Sequence, residues 1–202
     1  MRNARHLMGG CAGLVLAVAL CGPAAAGTAA DAPGLAKAIT CSACHGFAGN
    51  SRSDTMPILA GMWPEYFKKS IEDYATGKRP STEMQPYAKQ VVALGVNDVA
   101  AYFASQRRES TTIVADPARI ARGRAESAQC VICHGQDGKG DRAKLIPDLT
   151  GQPPGYLLNQ LLLFKQDRRS PGDATLKAIK ELVKTIPEET LADLAAYYSS
   201  LR

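Results

Sequence analysis

All cysteines and histidines beyond residue 26 fall in two short words, CSACH (41–45) and CVICH (130–134). In each, two thiols three positions apart are spaced to form thioethers with the vinyl groups of a porphyrin. The imidazole directly after the second thiol then meets the iron. C-x-x-C-H is the attachment pattern of c-type haem. A redox disulfide or half a zinc site also uses C-x-x-C. A disulfide gives no reason for the histidine, and zinc would need four ligands drawn from both words. The complete pattern occurs twice, each time followed by glycine, Gly46 or Gly135. Two covalently bound haem c groups are therefore expected, on Cys41, Cys44 and His45, and on Cys130, Cys133 and His134.

The N-terminus supplies the compartment that such chemistry needs. MRNARH is basic, LMGGCAGLVLAVAL is apolar, and Ala24, Ala25 and Ala26 form a small-residue cleavage site, so 1–26 read as a secretory leader. The apolar run is short against the roughly 20 residues of a membrane span. Leu20 before Cys21 argues against lipidation. Export to the periplasm is expected, where bacteria attach haem of this type. The formal net charge is +5, with basic residues interspersed among acids, so no nucleic-acid partner is expected. Peripheral membrane association is left open.

Elements that position the two words come as a duplication. CSACHGFAGN aligns with CVICHGQDGK, PILAGMWPEY with PDLTGQPPGY, and VAAYFASQ with LAAYYSSL, in the same order. The joining stretch ESTTIVADP (109–117) ends with Asp116 as a helix cap and Pro117 as a first helical residue. The reading gives a first domain at 27–112 and a second at 113–202. Units this small gain from a large bound apolar group.

The periodicity is helical throughout. PEYFKKSIEDYATG begins at Pro64, recurs on one face at Tyr66, Phe67, Ile71 and Tyr74, and stops at Gly77. PPGYLLNQLLLFKQ reads alike. Residues 97–107, capped by Asn97, and 187–201 form closing helices. No strand alternation appears, so the class is all-α, built twice.

With the pattern CxxCHGxxG, then P-x-L-x-G, then an aromatic helix, then a basic pair before Met84, the chain resembles the dihaem class I cytochromes c. It is similar to both the cytochrome c4 type and the haem subunit of flavocytochrome c sulfide dehydrogenase. The resemblance implies two tandem class I domains. It implies that the Pro57 and Pro147 carbonyls accept hydrogen bonds from the ligating histidines, and that Tyr102 and Tyr197 pack between terminal helices. It also implies Met84 as the sixth iron ligand of the first haem. Met56 and Met62 are the other methionines beyond the leader.

The second half contains no methionine. The repeat offset changes between 170 and 186, so Met84 corresponds to some position within 174–179. Lys177 is the side chain there able to bind iron as a neutral amine, with Lys180 and Lys184 following at helical spacing. A five-coordinate or water-bound iron and a tyrosine ligand are the alternatives. Without a thioether the second haem should sit at lower potential.

Electron transfer is the leading expectation, with no enzymatic activity of its own. Expected partners are a flavoprotein dehydrogenase, a membrane cytochrome complex or a terminal oxidase. The alternatives are a haem subunit taking electrons from a flavoprotein that oxidises sulfide, and an open second iron that binds CO, NO or peroxide.

Overall fold

The computed structural model describes residues 34–202, so the expected leader lies outside the described residues. Among these, ten α-helices account for nearly all regular structure, and β pairing is limited to one bridge between Asp141 and Ile146. The first half carries α1 (Leu35–Ala38), α2 (Ser42–His45), α3 (Pro64–Ala75), α4 (Met84–Leu94) and α5 (Val96–Ser105). The second repeats the order as α6 (Pro117–Glu126), α7 (Ala128–His134), α8 (Pro154–Lys165), α9 (Lys177–Thr185) and α10 (Glu188–Ser200).

Local signals explain most boundaries. Pro64 and Pro154 occupy first helical positions, where a missing N–H loses no bond. The Asp116 carboxylate accepts from the Ala118 N–H at 2.9 Å, capping α6. α5 begins at Val96, ahead of Asn97, because Gly95 takes φ 101° and turns the chain straight from α4 into α5. Asn97 is thus already inside the helix.

Each half has its own apolar core. Phe67, Ile71, Val99, Tyr102 and Phe103 centre the first; Leu157, Val183, Leu191, Leu194 and Tyr198 centre the second. Tyr102 is buried as expected, but in the second half Tyr198 takes the core position and Tyr197 packs half-buried at its edge. Close helix crossing is set by glycine. A Cβ on Gly123 of α6 would collide with the Asp193 carbonyl oxygen of α10, and one on Gly34 would collide with that of Asp98. The same contact recurs in both copies.

The two halves meet through polar contacts. Ile58 N–H donates to Gln152 Oε1 and Gln152 Nε2 donates to the Ile58 carbonyl, both at 2.9 Å and buried. The start of α8 is held by Asp54, whose carboxylate accepts from Gly155 N–H and whose carbonyl accepts from Tyr156 N–H, each at 2.8 Å. Arg142 forks onto Glu65 at 3.0 and 3.1 Å. Arg108 reaches Asp148 at 2.9 Å and also donates to the Thr150 carbonyl.

Candidate haem centres

α2 carries Cys44 and His45, with Cys41 just before it, so one short helix presents both thiols and the imidazole. Gly46 ends it at φ 76°, and a Cβ there would collide with the Asn50 carbonyl oxygen. The chain therefore doubles back, and the Pro57 carbonyl accepts a hydrogen bond from His45 Nδ1 at 2.9 Å. Burial pushes the His45 pKa down, and the proline carbonyl only partly opposes this. A neutral ring with its hydrogen on Nδ1 leaves the Nε2 lone pair free. Nε2 is buried and has no hydrogen-bond partner among the described residues. A buried nitrogen with nothing to bind is costly unless a ligand completes it.

That ligand has room. A cavity of about 590 Å³ is bordered by Cys41, Cys44 and His45, within the roughly 300–1,000 Å³ of cofactor sites. Met56, Met62 and Met84 all border it too. Met84 opens α4, its N–H donating to Ser81 Oγ at 3.1 Å. The far wall comes from the other half, through Tyr156, Gln160 and Leu163 of α8. Thiols, orphaned imidazole, thioethers and an apolar lining fit a haem c.

The second word sits on α7 in the same way. Gly135 ends the helix at φ 74°, and the Pro147 carbonyl accepts from His134 Nδ1 at 3.0 Å. Burial lowers the His134 pKa, against the proline carbonyl and Asp148. The Tyr198 ring lies 6.4 Å from the imidazole, and Cys130 packs on the apolar core, where burial raises its thiol pKa.

Two registers suit the stretch that the sequence left open: Lys177 opens α9 as Met84 opens α4, whereas burial pairs the two helices one residue earlier. In α4 the buried positions are Ala88 and Val91; in α9 they are Lys180 and Val183. This match brings Leu176, half-buried like Met84, to the methionine's place. Lys177 falls one position later and is exposed. Lys180 is buried, paired with Asp167 at 2.8 Å and donating to the Ser170 carbonyl.

Cys44 and Cys133 are exposed, as are Phe47 (77%) and Ile132 (84%) beside them, so both attachment edges face outward. No disulfide joins the four thiols, and among the described residues no three His, Cys, Asp or Glu side chains converge on a metal-sized point. The four-ligand zinc alternative lacks its ligand set. The basic pairs Lys78-Arg79 and Arg168-Arg169 repeat visibly in the sequence, but nothing local signals that Arg79 is fully buried at the domain interface.

Comparison with known proteins agrees with this construction. Residues 120–202 match the cytochrome c family profile. The chain is 34% identical over 198 residues to cytochrome c4 of Pseudomonas aeruginosa, covering 93% of this chain and 96% of that protein. It is 30% identical to the thiosulfate dehydrogenase electron acceptor of Stutzerimonas stutzeri, covering 81% of this chain and 80% of that one. The crystal structure of reduced recombinant cytochrome c4 from Pseudomonas stutzeri superposes with a TM-score of 0.73 at 27% identity, over 84% of this chain and 97% of that chain. The fold and its sites are those of a c-type cytochrome made of two tandem class I domains. The chain belongs to the cytochrome c4 family, carries two covalently bound haem c groups and transfers electrons. Among the described residues no helix is long and apolar enough to cross a membrane.

Proposed function

We propose that the chain is a periplasmic electron carrier with two unequal centres, one in each of the units 27–112 and 113–202. Cys41 and Cys44 hold the first haem, with His45 and Met84 as axial ligands; Cys130, Cys133 and His134 hold the second. When bound, each haem supplies a one-electron iron couple. Pro57 and Pro147 fix the imidazole tautomers, and the apolar cores keep water from the inner face of each ring. The exposed edges at Cys44 and Cys133 are where electrons cross to partners.

The asymmetry lies in the sixth position. A thioether stabilises Fe(II), so the first centre has the higher potential and the direction runs from the second haem to the first. In the second half, Lys177 is the proposed amine ligand. It opens α9 as Met84 opens α4, which supports this reading. The orphaned, buried Nε2 of His45 in a cavity edged by Met84 carries the reading. A potentiometric titration resolving two haem waves tests it. Coincident waves, or thioether signatures on both irons, would overturn the asymmetry.

Similarity to a thiosulfate dehydrogenase electron acceptor over most of both chains favours a dehydrogenase as donor. A membrane complex or terminal oxidase would then be the acceptor. Stoichiometric co-purification with a flavoprotein from native cells would instead make the chain an enzyme's haem subunit.

A further inference from the structure

Arg79 is a fully buried cation whose contacts are neutral groups and, across the shared Gln160 Oε1, a second guanidinium, that of Arg169. Its Nε donates to Gln160 Oε1 at 2.9 Å and its Nη2 to Tyr156 Oη at 2.8 Å. Its guanidinium lies 4.5 Å from the centre of the Tyr74 ring. Among the described residues no carboxylate pairs with it. A buried guanidinium without a counter-charge is unfavourable, and Arg79 borders the cavity of the first centre. The position asks for an anion, and a haem brings two carboxylates.

The second repeat answers with its own copy. Arg169, the counterpart of Arg79, donates to Gln160 Oε1 at 3.0 Å and to Tyr66 Oη at 3.1 Å. Tyr66 and Tyr156 are themselves counterparts in the two aromatic helices. The contacts are crossed: each arginine is steadied by the tyrosine of the other domain, and Gln160 bridges both.

Resting on the haem assignment above, we infer that Arg79 and Arg169 form one carboxylate receptor straddling the domains. Tyr156 is a positioning residue for the first haem's potential and, by the correspondence of the repeats, Tyr66 for the second's, although Tyr66 itself borders the first cavity. A nearby guanidinium favours the reduced haem, which carries one positive charge fewer. Each tyrosine acts by keeping the opposite domain's arginine in place.

The test is a two-wave potentiometric titration of the full dihaem protein, with Met84→Ala identifying the first haem by the wave that it moves. Tyr156→Phe should lower the first wave, changing its oxidised-to-reduced ratio at fixed poise by about threefold, the size of one net hydrogen bond, and leave the second wave in place. Tyr66→Phe should do the reverse. Waves that follow the tyrosine's own domain, move together, or do not move overturn the inference. If a tyrosine variant fails to load haem, Gln160→Met decides: both waves falling supports the bridge, and unchanged waves overturn it. Should Met84→Ala move neither wave, the ligand assignment fails. The crossing is then judged by whether Tyr156→Phe and Arg79→Lys move the same single wave, and different waves refute it.

Discussion

Ile58 and Gln152 are joined by two hydrogen bonds, with the side-chain amide of one domain matching the peptide group of the other. Gln152→Leu would leave a buried N–H and a buried carbonyl unpaired, at about 1–3 kcal/mol each. Domain docking should weaken while each core survives. Scanning calorimetry of the haem-loaded protein should show one unfolding transition separating into two.

The Gly123 contact predicts a different failure. Gly123→Ala would push α6 off the Asp193 carbonyl, an overpacking loss of about 1–3 kcal/mol. Gly172→Ala is the control: a Cβ there meets nothing within 4 Å, so only its φ of 73° opposes the change. Thermal melting should separate the two, with Gly123→Ala the lower.

Asp193 should give the second domain an acid sensitivity. Its carboxylate is covered, and the hydrogen bond from Arg122 outweighs desolvation to hold its pKa below the ordinary value. The depressed value makes its stabilisation fully present above the unfolded carboxylate range, about 3.9. That stabilisation is lost as pH falls through the lower folded value. Asp193→Asn should lower stability near neutrality and flatten its decline below about pH 4, read by circular dichroism.

Met84 should contribute one thioether-to-iron charge-transfer band in the near infrared for two haems per chain. Met84→Ala should abolish it, whereas Met56→Leu and Met62→Leu should leave it in place. Retention of the band in Met84→Ala would transfer the role to one of the other sulfurs.

Signals that act within one turn of chain are legible in the residues themselves. Pro64, Gly77, Asp116 and Pro117 state their helix boundaries through φ preference and capping, and the two CxxCH words state their chemistry through spacing. What the sequence hides is non-local. The register of α9 depends on which side chains Val183 and Lys180 pack against, and an offset that drifts between 170 and 186 cannot settle it. Nothing adjacent announces the burial of Lys180, which depends on its pairing with Asp167, thirteen positions upstream. The burial of Arg79 needs Tyr156 and Gln160, about eighty residues away, to exist.

The exchange of Arg79 with Tyr156 and of Arg169 with Tyr66 has the form of an isologous contact, in which residue i of one subunit meets j of its twin and j meets i. Such reciprocity is what a self-associating single module leaves behind when its gene doubles and the two products become one chain. Fusion frees the twins from identical sequence, because a change in one is no longer copied into the other. A methionine in one half and none in the other is a difference that two copies of one gene product could not carry on one side alone.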